Sequence, residues 1–169
     1  MPDFGELFME AMDVSVEWNG KTVVMSDKFP VSNGDILLIS IEKTNSDRRQ
    51  GLCINITGSC EINGEVRKIG KGIQMLFWED TAPKKIKLKV ITKKDFVWVN
   101  NIWEQINSYL TSDSSGKTIT KESTLVDSGH NGAAMIIEEI ENGRRYHCND
   151  GFPDEDFDDI VFTVQKVVK

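Results

Sequence analysis

The sequence predicts an all-β fold, an antiparallel β-sandwich of roughly ten strands in a single domain. Two observations carry this. Five Asn-Gly dipeptides, at Asn19, Asn33, Asn63, Asn131 and Asn142, lie between apolar or alternating runs, and Asn-Gly suits the two positive-φ positions of a type I′ hairpin turn. The runs between them are short and rich in β-branched and aromatic residues, the composition of a pleated, half-buried surface. A chain of 169 residues also removes enough apolar surface from water to fold without disulfide staples.

Taken in order, residues 4–12 are the one candidate for a short N-terminal helix, with Phe4, Phe8 and Met12 four apart on one face. The alternative is an end that packs locally or frays. Strands are expected at 14–18, 22–25, 36–41, 52–57, 73–78, 86–91, 96–103, 133–140, 144–148 and 160–168. Around 84–90, Lys84, Lys85, Lys87 and Lys89 are interleaved with Ile86, Leu88 and Val90. That gives one buried face and one basic face, the pattern of an edge strand that resists aggregation, with an acidic docking partner as the other use. Residues 109–121 are polar and rich in Ser, Thr and Gly, the one convincing flexible loop or linker. It would divide an N-terminal sandwich, 1–108, from C-terminal strands, 122–169. About fifty residues seldom form a core of their own, so one domain over 1–169 is the preferred organisation. Trp18, Trp78, Trp98 and Trp103 suggest sugar stacking, but a strand Trp more often buries its ring in the core.

Several functional classes are disfavoured. With 27 acidic against 20 basic side chains, a net charge of -7, the chain lacks the clustered cations that neutralise a phosphate backbone, so nucleic acid is not an expected partner. Apolar runs such as 36–39 fall far short of the roughly 20 residues that span a bilayer. The acidic opening, Met1 to Glu6, lacks the basic-then-apolar order of a secretory signal. The expected location is cytoplasmic, or exported without a recognisable signal peptide. Three cysteines, Cys53, Cys60 and Cys148, cannot all pair, and Cys53 and Cys60 lack the close spacing of zinc ligands. Reduced buried thiols are expected. His130 and His147 are the only histidines. His147 and Cys148 are neighbours in an expected strand, so they face opposite ways and form no nucleophile–base pair. No GxSxG, HExxH, Walker or GxGxxG motif occurs. A non-enzymatic protein is expected, since nothing selects the two acids a glycosidase would need.

The charge is localised. Residues 1–120 hold 16 acids and 15 bases, and residues 121–169 hold 11 acids and 5 bases. Between Asp150 and Asp159 there are six acids and no base. Two carboxylates about 4 Å apart repel by roughly 1 kcal/mol in water and more near protein. Such a segment is either a loose, hydrated loop or is held by a cation. Phe157, set between Asp156 and Asp158, reads as an anchor, and a strong strand candidate follows at Ile160. Both favour an ordered loop. Calcium, which takes six to eight hard oxygen ligands, suits it better than zinc or copper, which favour His and Cys. The loop is not an EF-hand, because counting from Asp154 the sixth position is Asp159 rather than Gly and the twelfth is Gln165 rather than Glu. The metal candidates are Asn149, Asp150, Asp154, Asp156, Asp158 and Asp159, around one or two Ca2+ ions sharing ligands.

Asn149-Asp150-Gly151 followed by Asp154-Glu155-Asp156-Phe157-Asp158-Asp159-Ile160-Val161-Phe162 resembles the calcium-loop-plus-strand signature of the soluble bacterial fucose- and mannose-binding lectins. In that family an Asp-Gly turn leads into D-x-D-aromatic-Asn-Asp and a β-branched strand. The resemblance implies two calcium ions held by Asp150, Asp154, Asp156, Asp158 and Asp159, with adjacent sugar hydroxyls completing the coordination. It covers about fifteen residues. Asp158 stands where the family has Asn, Phe152-Pro153 lengthens the loop by one residue, and Val167-Val168-Lys169 replaces the Gly-terminated tail that joins two lectin subunits.

The resulting expectation is a calcium-dependent, lectin-like binding module for carbohydrate or a glycoconjugate, with homo-oligomerisation open. The alternative is a protein-interaction, immunity or inhibitor protein that sets its acidic loop against a basic partner. A third option is a structural subunit with a merely solvated loop.

Overall fold

The computed structural model of the chain describes residues 3–67, 72–129, 132–152, 154 and 156–168. Among these described residues one helix, α1 (Phe4–Ala11), precedes fourteen strands. These are β1 (Ser15–Trp18), β2 (Lys21–Val24), β3 (Asp27–Pro30), β4 (Ile36–Thr44), β5 (Gln50–Ile56), β6 (Gly58–Ile62) and β7 (Glu65–Arg67), followed by β8 (Ile73–Trp78), β9 (Ile86–Thr92), β10 (Phe96–Ser112), β11 (Thr118–Asp127), β12 (Ala134–Ile140), β13 (Gly143–Asn149) and β14 (Ile160–Lys166). Each of the ten expected strands is present.

The strands form two antiparallel sheets. The larger has nine strands in the order β1-β2-β12-β13-β14-β4-β9-β6-β7. The smaller runs β11-β10-β5-β8, with β3 also paired to β10. The main core lies between them. Leu37 and Ile39 of β4, Leu88 of β9, Tyr146 of β13 and Phe162 of β14 meet Leu52 and Ile54 of β5, Phe77 of β8 and Val97 and Val99 of β10. Strands from both sides of residues 109–121 contribute, and β12, β13 and β14 sit inside the larger sheet between β2 and β4. Cys53, Cys60 and Cys148 are buried free thiols. Among the described residues no helix is long and apolar enough to cross a membrane.

A second, smaller core lies on the outer face of the larger sheet. Successive strand residues point to opposite faces, so Val24 and Met135 enter the main core while Val23 and Ala134 turn outward to meet Phe4 and Phe8 of α1 and Phe157. Asp3 starts the helix by accepting the Glu6 N–H, the role of an N-cap. Met12 ends it in the left-handed region at φ 52°, which turns its side chain away from the Phe4–Phe8 face. Met12 is 92% exposed, so the expected Phe4–Phe8–Met12 face reduces to the two phenylalanines.

The turn chemistry divides. Asn19-Gly20 and Asn63-Gly64 have positive φ at both residues and join the paired strands β1–β2 and β6–β7, as expected of type I′ hairpins. At Asn142 the hairpin is displaced by one residue: Ile140 pairs with Gly143, and the loop is Glu141-Asn142 with Asn142 at φ 60°. Asn33-Gly34 makes a turn but not a hairpin, because β3 belongs to the smaller sheet and β4 to the larger. Asn131 lies outside the described residues, as does His130.

Two further expectations are corrected. Residues 109–121 are not a linker. They form the end of a long hairpin in which Trp103 to Ser112 pair with Asp127 to Thr118, closed by a turn whose Asp113 carboxylate accepts the Ser115 and Lys117 amides. Their polarity reflects a two-stranded arm with solvent on both faces. Strand β9 is not an edge, because β4 and β6 flank it. Its alternation of buried Ile86, Leu88 and Val90 with exposed Lys87 and Lys89 describes an interior strand with one wet face.

Candidate functional site

The acidic stretch connects β13 to β14, two adjacent antiparallel strands whose last pair is Cys148 and Ile160. It therefore leaves and re-enters the sheet at nearly one point, and both of its ends are buried. Asn149, Asp150 and Asp159 are all buried. The segment after β4 lies beside it, tied by the Asn45 N–H to the Asp159 carbonyl at 3.0 Å.

Asn149 braces the loop from within. Its amide donates to the Asp154 carbonyl at 2.9 Å and accepts the Phe157 N–H at 3.0 Å, and its own carbonyl accepts from the Asn101 amide at 2.9 Å. Phe157 is held in the left-handed region at φ 50°, a conformation that costs a non-glycine residue about 1–2 kcal/mol. Burial of its ring offsets that cost. Phe157 is 4% exposed, with ring centroids 5.7 Å from Phe4 and 6.1 Å from Trp18. The aromatic among the acids is thus an anchor, and its socket is the outer core. Gly151 packs on the Trp103 indole so closely that a Cβ there would fall 3.1 Å from the ring.

The carboxylates are unequally served. Asp150 accepts from Ser46 Oγ at 2.7 Å, Gln50 Nε2 at 3.1 Å and the Phe152 N–H at 3.0 Å, and Arg48 stands 3.9 Å away. Asp159 accepts the Asp150 N–H at 2.8 Å. Burial, joined by repulsion from Asp150, Asp154 and Asp158, pushes the Asp159 carboxyl up to about 7. Asp154 is also raised, first by burial and then by Asp156 and Asp158. Asp158 accepts from Asn45 Nδ2 through one oxygen at 3.1 Å. Its other oxygen, Oδ1, is buried without a partner. Asp156 is exposed. Behind Asp150, the facing residues Gln50 and Trp103 leave Oε1 and Nε1 unbonded in the interior.

The expected ligands fall into two groups. Asp150, Asp154 and Asp158 lie near enough to raise the charging cost of Asp159, and Asp156 and Asp158 near enough to raise that of Asp154, with the exposed Asp156 at the outer margin. The side chain of Asn149 is occupied on both atoms by the loop backbone. Among the described residues no three acidic, His or Cys side chains converge as a ready-made metal cage. The donor chemistry is nonetheless that of a hard cation, all carboxylate oxygen, with one buried oxygen unpaired. The supporting residues Asn45, Ser46, Arg48 and Gln50 lie about a hundred positions away in sequence, and no motif marks them.

The remaining candidates lie elsewhere. His147 bonds Glu138 at 2.9 Å beside Arg145 on the outer face of β13. Trp103 is core, whereas Trp78 and Trp98 lie under Arg49 and Lys28 and Trp18 meets Phe4 edge-on. No protein-family model matches the chain, and no curated protein or solved structure matches it either.

Proposed function

We propose that the protein is a calcium-dependent binding module whose cation is held by Asp150, Asp154, Asp158 and Asp159, with Asp156 closing the shell from the open side. The observation that carries this is the state of Asp159. A carboxyl 5% exposed, raised by burial and three neighbouring carboxylates, is costly to ionise unless a positive charge joins it. The partnerless Asp158 Oδ1 supplies a further oxygen. Calcium tolerates irregular oxygen coordination, which suits carboxylates that must still draw together. The ligand class is carbohydrate bearing adjacent hydroxyls. That reading rests on the loop's resemblance to the fucose- and mannose-binding lectins, in which sugar oxygens complete the calcium shell.

The test is a thermal melt at increasing calcium, followed by EDTA. A ligand at a hundred times its Kd stabilises the native state by about 2.7 kcal/mol, a rise of about 5–10 °C for a chain of this size. Asp156→Asn is expected to remove most of the rise and leave the apo melt unchanged. A melting curve indifferent to millimolar calcium overturns the proposal. Glycan binding that persists in EDTA overturns the coordination of sugar to the cation, and a calcium response without any glycan binding overturns the carbohydrate half alone. A second reading, a basic protein partner on the same loop, is favoured by Arg48, a cation of the chain itself that already reaches over Asp150. Its signature is a complex that forms in EDTA and weakens with salt.

A further inference from the structure

The last turn of α1 leaves an apolar groove that the fold does not fill. It has a volume of about 790 Å3 and is lined by Phe8, Met9, Met12, Val14 and Met25. Met9 is 74% and Met12 92% exposed, a large outlay of thioether surface in water beside a helix whose other face is buried. Unbranched, polarizable methionine side chains adapt to differently shaped apolar partners, which is why they recur at binding surfaces. The volume lies within the range of sites that enclose a small ligand or a few side chains, about 300–1,000 Å3.

The charged groups lining the groove are Asp3, Glu6 and Asp13, and among the described residues no Lys or Arg lines it. Asp3 and Glu6 suit the helix itself, since an N-terminus favours acids. Asp13 does not. It follows the C-terminal end, where the helix dipole disfavours an acid, and the last turn contains no base. One oxygen of Asp3 and one of Asp13 are engaged by the Glu6 and Val14 amides, which fixes both carboxylates at the rim. An apolar floor with an acidic rim complements an apolar stripe flanked by cations.

We infer that this groove binds a cationic amphipathic peptide segment, its Leu- or Phe-like side chains on the methionines and its Lys or Arg side chains on Asp3, Glu6 and Asp13. The mode is helix-in-groove recognition with electrostatic steering. It is separate from the cation loop and requires no calcium.

The probe is a fluorescent Leu–Lys amphipathic peptide of about four helical turns, titrated by anisotropy against the full chain in EDTA, with a Leu–Glu peptide of the same pattern as control. Binding at about 1–100 µM, weakened about tenfold by high salt and by Met9→Gln/Met12→Gln together, is expected. Both methionines are exposed, so this variant keeps its fold, which its melting curve verifies. Asp13→Asn is expected to weaken the Lys peptide severalfold. Equal binding of the Glu peptide overturns the charge argument. Absence of binding at about 100 µM, or binding lost through Asp156→Asn and kept in the methionine variant, overturns the groove as the site.

Discussion

Replacing Asp159 by Asn isolates the electrostatic cost at the centre of the loop. Asn keeps an acceptor for the Asp150 N–H and removes the charge. Burial and the surrounding carboxylates raise the folded carboxyl from 3.8 to about 7. Because the folded value lies above the unfolded one, the native state is favoured where the group is protonated, and that advantage is lost as pH rises towards and through 7. At about 1.36 kcal/mol per pKa unit, the whole shift amounts to about 4 kcal/mol, of which about 2–3 kcal/mol falls between pH 5 and pH 8. In EDTA the natural chain should therefore be less stable at pH 8 than at pH 5 by about that amount. Asp159→Asn should flatten the profile and exceed the natural chain in stability at pH 8, while losing its calcium response. Urea denaturation at the two pH values, with and without calcium, measures all three quantities. A natural chain that is more stable at pH 8 in EDTA, or an Asn variant that keeps the same slope, refutes the assignment of the cost to Asp159.

Other substitutions separate the loop's scaffold from its charges. Phe157→Ala should cost about 3–5 kcal/mol through loss of a buried ring, and Phe157→Gly should be less damaging by about 1 kcal/mol because glycine accepts the left-handed backbone freely; equal losses by denaturation would discount the strain. Asn149→Ala strands the Phe157 N–H and the Asp154 carbonyl, and should cost about 1–3 kcal/mol and weaken calcium binding by calorimetry without altering its stoichiometry. Cys53, Cys60 and Cys148 are buried, and burial raises all three thiols. None should react with a thiol reagent in the native state, and all three should react in denaturant. Gly143→Ala would drive a Cβ into the Val164 carbonyl, so it should unpair β13 from β14, lowering the melting temperature and the calcium response together.

The ten expected strands shared a signal that burial writes into sequence: β-branched and aromatic residues bounded by turn formers. The four strands without that signal have physical reasons to lack it. β11 is wet on both faces, so its Thr, Ile, Leu and Val residues follow no buried alternation and are interrupted by Lys121, Glu122 and Ser123, β7 is three exposed residues, β3 ends in a proline opposite Phe96, and β6 carries Gly58, Ser59 and Glu61 in five residues. Asn33-Gly34 shows the limit of turn chemistry, which specifies a local reversal and not which sheet receives the next strand. The loop itself was legible because six acids in ten residues require a special environment, and Phe157 because an aromatic amid charge has few reasons to be there. Its socket on Phe4 of α1 and its supports at Asn45, Ser46 and Gln50 come from remote parts of the chain, through contacts that leave no local pattern.

The outer core of Phe4, Phe8, Val23, Ala134 and Phe157 packs the helix and the middle of the acidic loop, around Phe157, into one piece on β2 and β12, held to that face by side chains. Such a piece can open while the sandwich stays closed. Amides of α1 and of the loop would then exchange with solvent in concert, faster than those of β4, β5 and β14, and a ligand that slows one set would slow the other. Trp18, in ring contact with both Phe4 and Phe157, stands where its emission can follow that opening, a native optical reporter of the motion.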